Sequence, residues 1–104
     1  PLVVWEESHE IIRHRLSAIL QQHQPEKWGS IDMTETYQAA RREVFETCRR
    51  VELPGMPGEA HLIHRLAVHG MAPWIDSSVA PEEGRVVVYF RPHLAQISDW
   101  LKLP

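Results

Sequence analysis

The segment HLIHRLAVH, residues 61 to 69, places three histidines in nine positions. Neutral imidazoles are the commonest metal ligands and also carry protons near neutral pH. Read as a helix at about 100° per residue, the segment puts Leu62, Ile63, Leu66 and Ala67 on one side and His61, His64, Arg65 and His69 on the other. His61 and His64, at i and i+3, are then neighbours able to share a divalent ion, while His69 points about 140° away from His64. A zinc site normally needs three or four ligands. The rest would have to come from His9, His14, His93 or a carboxylate, and the chain contains neither His-Glu-x-x-His nor paired Cys/His spacing. The expectation is a solvated histidine face, with no metal and no cofactor.

The other reactive side chains give weaker signals. His9 and His14 lie five residues apart and so misalign on a helix, and Glu6, Glu7 and Glu10 beside them suit a helix start. Ser77 and Ser78 follow Asp76, but no Gly-x-Ser-x-Gly elbow surrounds them, and Asp-Ser-Ser is ordinary turn chemistry. Cys48 falls within an apolar stripe, where a thiol behaves as a small hydrophobe. The glycines of GMPGEA match neither the dinucleotide nor the Walker spacing. These residues predict a protein that is not an enzyme.

Arginine is the stronger lead, since nine of the 11 basic residues are arginine and its planar fork suits bidentate and stacked contacts. In ARREVFETCRRVE, Arg42, Glu46 and Arg50 follow at i+4 steps and offset one another's charge. Arg41 projects near the apolar stripe, between Cys48 and Phe45, a pairing favoured at interfaces.

The elements that must position these residues follow from periodicity. A first helix runs from about Ser8, as N-cap, to His23, with Ile12, Leu16, Ile19 and Leu20 at helical spacing. A second starts at Asp32, with Glu35 completing a capping box, and carries Tyr37, Ala40, Val44, Cys48 and Val51 on one stripe before Pro54. A third spans Glu59 to His69 and stops at Gly70. A fourth starts at Pro92 and carries Leu94, Ile97, Trp100 and Leu101.

RVVVYF, residues 85 to 90, reads as a strand apolar on both faces. PWIDSSVA, joined to it through PEEG, would be its hairpin partner, and LVVW at residues 2 to 5 would add a third strand. The predicted class is α+β: a three-helix core followed by a small antiparallel hairpin or sheet and a C-terminal helix, in the order β-α-α-α-β-β-α.

Length and composition bound the rest. The 104 residues fit a single domain spanning 1–104, with 43% hydrophobic and 24% charged residues and a formal charge of −3. Because the sequence starts at proline, it reads as a processed protein or a domain excised from a longer chain. A single cysteine excludes an internal disulfide framework. No apolar run approaches the ~20 residues of a membrane span, and PLVVWEESHE has no signal-like n-region. A cytoplasmic protein is expected.

Three function classes remain. A macromolecular-interaction module, self-associating as a homodimer or binding another protein, accounts for the four tryptophans and the doubly apolar strand. Its anchors would be Trp28, Trp74, Phe45 and Arg41. A winged-helix-like nucleic-acid-binding domain would present His61, His64 and Arg65 on its third helix, with Arg41, Arg42, Arg49 and Arg50 as further phosphate contacts and PEEG as the wing tip. Against it stand the long LPGMPG link and the acidic wing tip, Glu82 and Glu83. The third class is a histidine-based metal or small-molecule activity.

Overall fold

A computed structural model describes residues 1–73, 84 and 86–104. Strand β1 (Leu2–Trp5) leads into helix α1 (Ser8–Leu20); a 3₁₀ turn (Pro25–Ser30) leads to helix α2 (Thr34–Thr47); strands β2 (Arg50–Leu53) and β3 (His69–Met71) follow, and a second 3₁₀ turn (Ile97–Lys102) lies near the end. The fold is α+β, with a three-stranded antiparallel sheet in the order β2-β1-β3. LVVW, expected to form the third strand, is the centre of that sheet.

The turn from β1 into α1 takes only Glu6 and Glu7. Glu7 makes this possible by adopting the left-handed region at φ 61°, which non-glycine residues rarely enter and which costs on the order of 1–2 kcal/mol. Ser8 then starts α1, but its hydroxyl does not cap the helix. It is fully buried and accepts a hydrogen bond from the Val68 amide at 2.8 Å, fastening the chain just before β3 to the first turn of α1. Asp32, the expected cap of α2, accepts from the Thr34 amide and hydroxyl at 3.0 and 2.6 Å, while no capping box with Glu35 forms and the helix starts two residues later.

Ile12 of α1, Ala40 and Val44 of α2, and Leu66 and Val68 of the approach to β3 form the buried core, with Trp5, Ile11, Leu16, Cys48 and Leu103 packed around it. Arg15 and Glu43 tie the two helices together across the surface, Nε to Oε2 at 2.7 Å. Trp28 closes the far end of α1, its indole N–H donating to the carbonyls of Leu20 and His23 at 3.0 and 3.2 Å. The Leu20 carbonyl is one that the helix end leaves without an intrahelical partner.

The third helix does not form. From residue 59 to 68 the chain makes turns and irregular backbone, because its amides are taken by other partners: Leu66 N–H by His64 Nδ1 at 3.1 Å and Val68 N–H by Ser8, after which the chain enters the ladder with β1. A helix would need those same donors for its own i−4 carbonyls. Leu66, Ala67 and Val68 are consecutive and all buried, a run incompatible with one helical face.

Two further expectations change. The stripe assigned to the second helix runs past its end: Cys48 adopts extended backbone, Val51 lies in β2, and Arg50 pairs with Glu52 at 3.2 Å rather than with Glu46. The C-terminal helix is a single 3₁₀ element beginning at Ile97, because the Asp99 carboxylate accepts the Gln96 amide at 3.0 Å and sets the start there rather than at Pro92. Residues 86 to 90 form no strand with any described residue. All of their expected hairpin partner at 73–80 except Pro73, including the candidate nucleophiles Ser77 and Ser78, lies outside the described residues.

The Ser8 bond is testable. Ser8→Ala leaves a buried Val68 amide without an acceptor and is expected to lower stability by about 1–3 kcal/mol. Urea unfolding should show this as a lower midpoint at unchanged slope.

Candidate interaction surface

The strands put opposite characters on the two faces of the sheet. In β1, Val3 and Trp5 point one way and Leu2 and Val4 the other, and the antiparallel register sets Trp5 against Arg50 and Val68, and Val4 against Val51 and His69. Trp5 and Val68 face the helices and the core. The opposite face carries Leu2, Val4, Val51, Leu53 and Met71; the first four are half-buried and Met71 is exposed. None of these five side chains is fully buried, in contrast to Val3 and Val68.

A second apolar feature stands beyond the sheet. Val86, Val87, Val88, Tyr89 and Phe90 are exposed by 90, 43, 68, 68 and 87%. Five consecutive large apolar side chains in water are unusual for a monomeric domain, where big exposed apolar patches mark contact sites.

On α2 a third group lines up. Tyr37, Arg41 and Phe45 recur at four-residue steps on one exposed side; the Arg41 guanidinium sits 5.9 Å from the Tyr37 ring centre, and Phe45 stacks at 4.9 Å on Trp5. The sequence reading singled out Arg41 and Phe45 but assigned Tyr37 to the core stripe; the i, i+4, i+8 spacing was the available signal for the row.

Trp28 is a correction. With only 8% of its surface exposed and its N–H committed to the end of α1, it serves the fold and is not a surface anchor. Trp74 lies outside the described residues.

The histidines meet in a different combination from the one their spacing suggests. Without a third helix, His61 and His64 are not partners on one face. His64 stacks instead on His9, with ring centres 4.5 Å apart. Its Nδ1 accepts the Leu66 amide and its Nε2 is hydrogen-bonded to the Pro104 carbonyl oxygen, so both ring nitrogens hold the fold. His9 Nε2 lies 3.2 Å from Glu10. Among the described residues no group of three or more His, Cys, Asp or Glu side chains is placed to hold a metal ion.

The winged-helix reading loses its recognition helix. Arg65 lies 5.5 Å from the Trp100 ring centre and donates to the Pro92 carbonyl, which ties it to the C-terminal segment. Arg49 forms a two-pronged ion pair with Glu6, both contacts at 2.8 Å, leaving Arg42 and Arg41 as exposed cations on α2. A concavity near Arg65, about 430 Å³ and lined by Arg91, His93, Gln96 and Trp100, and another of about 500 Å³ beside His9, Glu10 and Cys48, are both shallow and open to solvent.

The Arg49 guanidinium, through its hydrogen bonds to the carboxylate, holds Glu6 below its ordinary pKa of 4.5. A carboxyl whose folded pKa is depressed stabilises the fold fully above its unfolded value and stops doing so as pH falls through the lowered value. The advantage of the native chain over Arg49→Ala should therefore shrink below about pH 4.5. It should also weaken in ~1 M salt, where the screening length falls to about 3 Å. Paired urea titrations at falling pH measure the difference.

Compared with protein-family models, with curated proteins and with solved structures, the chain finds no match. No helix among the described residues is long and apolar enough to cross a membrane.

Proposed function

We propose that the chain is a non-enzymatic interaction module that self-associates through apolar surface. The observation that carries this reading is the exposure of Val86–Phe90, supported by the partly exposed apolar face of the sheet. Burying such surface is the dominant favourable term in most protein association, and the mild net charge of −3 offers little opposing repulsion. The row Tyr37, Arg41 and Phe45 supplies the aromatic and arginine character enriched at contact centres. A nucleic-acid role is less well supported, since Arg49 and Arg65 are engaged within the chain. A cytoplasmic setting agrees with the single cysteine.

Val88→Asp places a charge in the middle of the exposed run without touching the core. It is expected to weaken self-association by roughly 10- to 100-fold, about 1.4–2.8 kcal/mol, with thermal stability per protomer unchanged. Gel filtration at several loading concentrations with in-line mass measurement reads this directly. An unchanged elution and mass for Val88→Asp beside an associating native chain would remove residues 86–90 from the contact.

A further inference from the structure

We infer that the Val86–Phe90 segment of one copy adds as a fourth strand along the outer edge of β3 in a second copy, the exchange being reciprocal about a two-fold axis. This rests on the self-association proposed above and names its geometry.

The edge is defined by hydrogen bonds already made. Trp5 N–H donates to the Val68 carbonyl at 3.0 Å and Ala72 N–H to the Pro1 carbonyl at 2.8 Å, which extends the β1–β3 pairing by one residue at each end. In an antiparallel ladder alternate residues bond to the same neighbour. Val68, Gly70 and Ala72 therefore turn their backbone groups toward β1, and His69 and Met71 turn theirs outward. That outer side carries no strand among the described residues.

Five residues of edge, 68 to 72, match the five of Val86–Phe90. The incoming segment is rich in the β-branched and aromatic residues that suit a strand, and every residue in it carries a backbone N–H because it contains no proline. A strand added there would extend the partly exposed sheet face beside Met71 and place alternate side chains over it.

The opposite edge of the sheet is a poorer acceptor. On β2, Arg50 and Glu52 form an exposed ion pair, and Pro54 follows directly. Charges and proline are the devices that blunt an edge against pairing. The β3 edge is likewise followed by a proline, Pro73, but it carries no ion pair, only His69, Gly70 and Met71. His69 is the one titratable group on that strand, and its Nδ1 is engaged with the Ala67 carbonyl at 2.8 Å.

Area favours a second copy over a lone peptide. Each large apolar side chain that comes to lie on the sheet face buries on the order of 100 Å², and a reciprocal exchange doubles what one strand and its receiving edge bury, toward the roughly 1,200–2,000 Å² of stable complexes. A single unreciprocated strand would bury about half as much.

The test places one thiol on each side of the proposed ladder. In a Cys48→Ser background, Met71→Cys is combined in turn with Val86→Cys, Val87→Cys or Val88→Cys, and the chains are oxidised above the concentration at which the native protein associates. Strand exchange predicts a covalent dimer in at least one register, formed only when both cysteines are present. An intramolecular disulfide at monomer mass would overturn the exchange, showing the segment folding back on its own β3, while leaving self-association intact. A native dimer by sedimentation with no cross-link in any register would likewise overturn the exchange alone. A native chain that stays monomeric would overturn both.

Should the cysteine variants fail to fold, hydrogen exchange on the native chain decides the same point. The His69 and Met71 amides are expected to slow by at least about tenfold as concentration rises through the association range. Protection independent of concentration contradicts the exchange.

Discussion

Trp28→Ala is expected to destabilise the protein by about 3–5 kcal/mol, in the range for removing a buried aromatic from a packed site. Two losses combine. The indole ring is buried, and its N–H donates to the Leu20 carbonyl at the end of α1, which the His23 amide also reaches, and to the His23 carbonyl just beyond it. Domains of this size have a total stability of roughly 5–15 kcal/mol, so the variant should unfold at much lower urea and populate the unfolded state at room temperature if the native chain lies at the low end. Trp28→Phe, which keeps most of the ring area and removes only the donor, should recover part of the loss. The decisive contrast is with association: molecules of the variant that remain folded should associate as the native chain does. A variant of native stability that fails to associate would restore Trp28 to the surface role first read from the sequence.

The second large effect is expected at Ile12. Ile12→Ala opens a cavity where α1, α2 and the Leu66–Val68 segment meet, and such truncations cost about 2–5 kcal/mol. Leu62→Ala is the matched control. Leu62 is fully exposed, and surface substitutions of this kind change stability by no more than about 0.5 kcal/mol. Read as a helix, residues 61–69 would put Leu62 on the same buried stripe as Leu66, and the two substitutions would then be comparably costly. Urea midpoints for the pair distinguish the two arrangements.

Those residues also mark where local pattern stops being informative. The apolar periodicity of Ile12 and Leu16, and of Ala40 and Val44, reported both long helices because each buries a single face at a period near 3.6 residues. The strand at Leu2–Trp5 was legible from its β-branched run. The segment 59–69 has equally good helical spacing and forms no helix, since Ser8 and β1 capture its amides from 60 or more positions away in the chain. A local pattern carries no record of such a competitor.

Strand β2 was hidden in the same way. RVEL reads as the end of a charged helix until Cys48 turns extended and the segment finds the edge of β1, where Leu53 pairs with Leu2. The surface was partly legible: Arg41 and Phe45 lie together on an exposed side of α2, and the exposed Val86–Phe90 run was visible as a segment needing cover on two faces. What the sequence could not convey is that Trp28 is turned inward by the end of α1, or that His64 is spent on Leu66 and His9 rather than on His61.

Self-association of the native chain through apolar surface is the property on which its proposed role depends. Sedimentation equilibrium over a wide concentration range, at low and high salt, with and without a mixed-sequence DNA duplex, tests this most directly. The expected result is a monomer–dimer equilibrium that persists or strengthens as salt rises, because apolar burial is not screened, with no DNA complex. A monomer at every concentration would contradict it. So would a DNA complex that dissociates steeply with salt, which would return the exposed arginines of α2 to the centre of the protein's function.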